Sequence, residues 1–142
     1  AVGSYIAQAW RLLKLRLENY PSLLVAGAVA LLIYLNFFTH HFIFDFRYIL
    51  MAAVIAVFWK TRVFFTVSIR EYKMPLIAGF VLTAFFIWLA ENMGTLLGAW
   101  KYPDQLITWT AVSTHKIGAW SLLVIISFIL IAELKRIKEH LK

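Results

Sequence analysis

The sequence predicts an all-α fold: a polytopic helical membrane bundle of four complete spans and a partial one at the N-terminus. Two observations carry that expectation. Residues 22–38, 42–59, 75–97 and 116–134 are long apolar stretches, each near the length a helix needs to cross a hydrocarbon layer ~30 Å thick at ~1.5 Å per residue. The composition agrees, with 63% hydrophobic residues and a mean hydropathy of +0.80, far above the ~45–50% apolar share of soluble domains. A soluble chain of 142 residues could not hide that much apolar surface in one core.

Residues 1–20 read as the end of a truncated span and an interfacial helix. The opening Ala1-Val2-Gly3-Ser4-Tyr5-Ile6 has neither the basic start of a signal peptide nor an initiator Met. The expectation is that residues 1–142 form a single transmembrane domain, a C-terminal fragment or processed piece of a longer protein. Arg11, Lys14 and Glu18 recur at i, i+3 and i+7 among Leu12, Leu13, Leu15 and Leu17, as on a helix lying at headgroup level. Tyr20-Pro21 closes it.

Between the second and third spans, Val63, Phe65, Val67 and Ile69 alternate with Phe64, Thr66, Ser68 and Arg70. This period of two fits a short interfacial hairpin over 63–73, and a frayed extension of the preceding helix fits as well. A strand here must be paired or interfacial, because lipid satisfies no backbone group.

The polar segments hold, in chain order, 3, 1, 4, 2 and 4 of the 14 Lys and Arg residues. The positive-inside bias therefore places 11–20, 60–73 and the C-terminus in the cytoplasm and the 98–116 loop outside. The net charge of +7 points to the lipid bilayer as partner and not to nucleic acid, since basic residues bracket apolar runs instead of gathering on one polar face. With no cysteine, disulfides and thiolate chemistry are excluded.

Chemistry-bearing residues concentrate at the outer end. Glu91 follows sixteen uncharged residues, 75–90, ~24 Å along its helix. An intramembrane carboxylate is costly, so it should face protein or water, either as a functional acid or as glue to a neighbouring helix. Trp88, Glu91, Thr95 and Gly98 share one helix face by their spacing, and Gly94 with Gly98 makes a G-x-x-x-G that lets a helix approach closely. Glu91 is the candidate catalytic residue. Asn92, Trp88, Trp100, Tyr102, Asp104, His115 and Lys116 are candidate binding residues, and antiparallel packing of the last two spans would bring Glu91 to Lys116 or His115. Trp100, Tyr102 and Trp109 also suit an interfacial aromatic belt. Asp45 and Arg47 read as a helix cap and a snorkelling anchor. A Glu in an aromatic pocket favours its acid form and could donate a proton, while ring faces could stabilise a carbocation. No zinc motif, diphosphate-binding aspartate run, Walker loop or nucleophile elbow is present, so no metal and no cofactor are expected.

Three stretches resemble the YoaT-like family of bacterial integral membrane proteins, a family of unknown function. They are Ser4–Arg11 with Leu17–Pro21, Ala90–Gly94 with Gly98–Gln105, and Lys116–Trp120 through Leu134-Lys135. The resemblance covers nearly the whole chain. It implies a place in a bacterial inner (plasma) membrane and members about twice as long, so that this chain corresponds to the C-terminal half and an N-terminal half is a missing partner. That half would carry its own acid followed by a Gly–Trp–Tyr–Pro-type loop. A looser resemblance links this pattern to membrane carotenoid cyclases and hydratases, which implies acid catalysis on an isoprenoid-like lipid, the apolar ligand. A proton-coupled or small-molecule transporter and a ligand-free structural or assembly protein stand as alternatives.

Overall fold

The computed structural model describes residues 2–140. Its elements run α1 (Val2–Leu12), β1 (Arg16–Glu18), α2 (Leu23–Thr39), α3 (Arg47–Phe58), β2 (Arg62–Val67), β3 (Arg70–Pro75), α4 (Leu76–Leu96), a 3-10 turn (Pro103–Gln105) and α5 (His115–His140). The expected all-α bundle is thus corrected to helices plus a three-stranded antiparallel sheet, ordered β1-β2-β3. The span count is corrected too. Among the described residues two helices, α4 and α5, are long and apolar enough to cross a membrane, not four and a partial one.

The shortfall has local causes. Ser22 caps α2 by accepting the Val25 amide at 3.5 Å, and the helix stops after 17 residues, ~26 Å. The stretch 42–59 is not one helix. Asn36 Oδ1 accepts the Phe46 amide at 2.9 Å and Asp45 Oδ1 accepts the Arg47 amide at 2.9 Å. These bonds hold residues 42–46 in a bend, so α3 has only 12 residues, ~18 Å.

In the N-terminal segment the helix ends earlier than expected. α1 is amphipathic, and its apolar side lies on α5: Trp10 and Phe128 rings are 5.7 Å apart. Lys14, at φ 48°, breaks the chain out of the helix. The residues beyond it carry a period of two as well as a helical spacing, with Leu15 and Leu17 against the core and Arg16 and Glu18 exposed. The open edge of β2 selects the strand: Arg16 pairs with Phe64, Leu17 with Val63 and Glu18 with Arg62. Residues 62–75 form a hairpin with Val67 opposite Arg70. Its two-residue turn puts Ser68 at φ 58°, the left-handed first position that a primed turn requires.

α5 is the central helix, packed by α1, α2, α3 and α4. Near the sheet an unbroken aromatic run ties the elements together. Tyr20 meets Phe58 at 5.7 Å, Phe58 meets Phe80 at 6.3 Å, and Phe80 meets Phe128 at 5.3 Å. Each such pair adds roughly 0.5–1.5 kcal/mol to the burial of its rings.

The molecule has two chemically different ends. Residues 11–21, 60–75 and 133–139 meet at the sheet end, joined by Thr61 Oγ1 donating to Asn19 O at 3.0 Å and Arg136 Nη1 to Pro21 O at 3.4 Å. That end holds ten described Lys and Arg residues against four acids. The opposite end, where the 97–114 loop lies, holds three against three.

Candidate functional site

Glu91 stands in the last two turns of α4, half-buried. Its Oε2 accepts the Tyr102 hydroxyl at 2.8 Å and the Trp100 Nε1–H at 3.2 Å. Both donors come from the loop after α4. Lys116, at the start of α5, places Nζ 3.0 Å from the centre of the Tyr102 ring, a cation–π contact. Burial first, then the hydrogen bond and charge of Glu91, push the Tyr102 phenol up from its ordinary value, with Asp104 adding to the rise and the Trp100 bond opposing it. Tyr102 therefore stays a donor.

The loop reaches Glu91 because α4 ends in a specific way. Gly98 takes φ +74°, its amide bonds Thr95 O at 3.2 Å, and the Ala99 amide bonds Gly94 O at 2.9 Å. This is the Schellman pairing, for which glycine at the left-handed position is preferred. Gly94 has another task. A Cβ there would lie 2.7 Å from Trp100 Cζ2, so the missing side chain is the seat of the indole. The two glycines expected to admit a neighbouring helix instead end α4 and receive Trp100.

A second set of bonds fixes the return of the loop. Asn92 Nδ2 donates to Trp88 O at 2.8 Å, while its Oδ1 accepts the Val112 amide at 2.9 Å. Trp88 Nε1 donates to Val112 O at 2.9 Å, and Trp109 Nε1 to Thr95 Oγ1 at 3.1 Å. Gln105, buried in the 3-10 turn, accepts the Tyr102 amide at 3.3 Å and donates to Thr110 O.

The expected site residues thus divide. Glu91, Trp100, Tyr102 and Lys116 form one cluster, Trp88 and Asn92 another beside it. Asp104 is exposed and makes no hydrogen bond among the described residues. His115 is elsewhere: its carbonyl accepts Arg47 Nη1 at 2.9 Å and its Nδ1 lies 3.4 Å from the Tyr48 hydroxyl. Among the described residues Glu91 forms no ion pair.

Arg47 and its partners went unread as a group. Arg47 Nη2 pairs with Asp45 Oδ2 at 3.0 Å, and Asn36 Nδ2 donates to Asp45 Oδ1 at 3.1 Å. Burial raises the Asp45 pKa, but the bonds from Asn36 and the Arg47 amide, with the charges of Arg47 and His40, outweigh it and hold the carboxyl below its usual range. A Cβ on Gly118 would stand 2.8 Å from Arg47 Cδ, so Arg47 lies folded across α5 instead of reaching outward. The available signal was Asn36, a lone amide in an apolar helix.

Four cavities of about 240, 460, 310 and 270 Å3 are lined by other residues, and Glu91 is in the wall of none of them. Among the described residues no three His, Asp or Glu side chains converge as a metal site requires. The arrangement is chemically a clasp: an acceptor on α4 gripping two donors of the loop.

Fold and site together define an apolar helical protein closed at one end by a basic sheet and at the other by an aromatic loop bonded to α4. The chain belongs to the family described as "Protein of unknown function (DUF817)", whose profile matches residues 1–128. It is 51% identical over 140 residues to "Uncharacterized protein YoaT" of Bacillus subtilis (strain 168), a match covering 99% of this chain and 53% of that protein. The chain therefore spans about half the length of that relative. No solved structure matches it.

Proposed function

We propose that the protein is embedded in the bacterial inner membrane, with α4 and α5 crossing the bilayer and the sheet end in the cytoplasm. Its outward surface supports this reading. Val81, Leu82, Phe85 and Phe86 on α4 and Leu123, Leu130 and Leu134 on α5 are all exposed, large apolar side chains grouped by their spacing on one face of each helix, as a monomeric soluble protein rarely presents them. The charge difference between the two ends supports the orientation.

Within that setting the Glu91 block acts as a structural clasp that holds the outer loop on the helices, and the protein's role is structural or assembly-related. The observation that carries this is the commitment of Glu91 Oε2 to Tyr102 and Trp100, both donated by the loop it would hold. The test is Glu91→Gln in the full-length protein, with lipids and pigments extracted and compared by mass spectrometry. The clasp reading expects unchanged profiles and a looser loop.

A second reading, an acid-catalysed enzyme on an isoprenoid-like lipid, is favoured by one detail. Glu91 Oε1 has no hydrogen-bond partner among the described residues, leaving one carboxyl oxygen for a ligand. Accumulation of an unprocessed polyene in the Glu91→Gln strain, at normal protein level, would favour it over the clasp.

A further inference from the structure

The loop after α4 does not leave the helix at its end but runs back along it. Trp100 sits over Gly94, and the Tyr102 hydroxyl reaches Glu91. Trp109 Nε1 reaches Thr95 Oγ1. The Val112 backbone is bonded on both sides, its amide to Asn92 and its carbonyl to Trp88. From the level of Leu97 to that of Trp88 the return is ~13 Å. No residue from Gln105 to Thr114 is charged. Gln105, buried beneath the turn, accepts the Tyr102 amide and donates to Thr110 O, which braces residues 106–109 as a protrusion. On that protrusion Ile107 is 98% exposed and Leu106 68%. Two large aliphatic side chains held outward by a braced turn forgo the burial that water would drive, so the tip is built for apolar surroundings.

We infer that Leu106 and Ile107 anchor this loop in the outer leaflet, at the boundary between headgroups and acyl chains, with phospholipid as the partner. The inference rests on the reading of α4 as a membrane span. α4 has 21 residues, ~32 Å, against the ~30 Å of the hydrocarbon layer. With its Leu76 end at the cytoplasmic boundary, its last three turns and the loop laid against them fall within the outer leaflet. Irregular backbone is tolerated at that depth only where protein or water satisfies it, and Asn92 and Trp88 do so for Val112. The tip itself goes no deeper than the boundary, where water reaches its backbone. Leu89, Met93 and Leu96 recur on the flank of α4 beside the loop and are exposed as well, so the tip continues an apolar surface of the helix. Trp100 and Trp109, each close to half-exposed and each with its indole N–H bonded, suit the same boundary.

The test uses the full-length protein in vesicles of phosphatidylcholine and phosphatidylglycerol, with a nitroxide spin label on Ile107→Cys, Asp104→Cys or Phe86→Cys in turn. All three side chains are exposed, so the label displaces no buried group. Collisions of the label with oxygen, which concentrates in lipid, are compared with collisions with a water-soluble nickel chelate. The oxygen-to-nickel ratio at Ile107 should stand severalfold above that at Asp104, in the same loop, and approach that at Phe86 on α4. Equal ratios at Ile107 and Asp104, with Phe86 still oxygen-rich, would overturn the anchor and leave the span standing. A nickel-rich Phe86 would sink the span itself, and the anchor with it. A label at Ile107 shielded from both reagents would also overturn the anchor, because a protein surface would then cover the tip.

Discussion

Replacing Glu91 should release the loop without unfolding the helices. The Tyr102 bond, at 2.8 Å to a carboxylate oxygen, belongs to the charge-assisted class worth about 1.5–3 kcal/mol. Partial exposure of both side chains puts it at the lower bound, about 1.5 kcal/mol. The Trp100 bond, longer at 3.2 Å and exposed, adds about 0.5 kcal/mol. Glu91→Ala should therefore favour the undocked loop by about 2 kcal/mol, near 30-fold in the opening equilibrium. Glu91→Gln, which keeps an acceptor but not the charge, should lose about half of that. Hydrogen–deuterium exchange across residues 99–112 reads the opening directly, with α5 amides as the internal reference. A double-mutant cycle of Glu91→Ala with Tyr102→Phe should return a coupling of about 1–1.5 kcal/mol. Additivity within about 0.5 kcal/mol, or exchange unchanged in Glu91→Ala, would refute the clasp.

Gly94→Ala sets two effects against each other. Helix propensity gains about 1 kcal/mol, but the new methyl meets the Trp100 indole, and forced overpacking costs about 1–3 kcal/mol. The expected outcome is an indole displaced from α4, read as a weakened near-ultraviolet tryptophan signal, with α-helix content intact. At low pH, Asp45 should supply part of the loss of stability. Its folded pKa lies below the unfolded 3.8, so its contribution is complete above 3.8 and vanishes as pH falls through the folded value. Asp45→Asn should remove that acid-limb step from a pH–stability curve. At high pH the sign reverses for Tyr102, whose folded pKa lies above 10.0. Its contribution holds below that value and is lost as pH rises further, and Tyr102→Phe should flatten the alkaline limb. Topology can be read in this cysteine-free chain from Thr108→Cys and Ser68→Cys. An impermeant maleimide should label the first in intact cells and the second only after lysis.

Helix edges were legible where backbone chemistry announced them. The stretch 75–97 and the observed Leu76–Leu96 agree because Pro75 and Gly98 mark the two ends. The stretch 116–134 stops short of His140 because hydropathy registers only the apolar part of a helix, and Glu133, Lys135, Arg136 and Glu139 extend α5 beyond it. The run 42–59 misled for the opposite reason. Phe42, Ile43, Phe44 and Phe46 are apolar, yet a bend held by Asn36 and Asp45 keeps them out of α3. That bend depends on a side chain ten residues upstream, outside any local window. At 14–18 both periods were present in the same residues, and only the partner strand, 44 to 48 residues away in sequence, decides between them.

The candidate site divides along the same line. Glu91, Trp100 and Tyr102 lie within twelve residues, so their grouping was readable once a turn was expected at Gly98. Their geometry was not, because it depends on which small residue accepts which large one. Gly94 could have faced a helix or a ring, and nothing in its spacing distinguishes the two. The outcome has a physical logic. At the C-terminal end of α4, Glu91 Oε2, the Asn92 amide and the Thr95 hydroxyl are matched by groups from the loop or from the helix itself. A polar side chain near a lipid boundary is retained where the protein supplies its partners. Clustering of polar residues at the end of an apolar helix therefore signals local closure as readily as catalysis. Glu91 Oε1 is where the two readings part: a lipid ligand must reach that oxygen, and a clasp works without it.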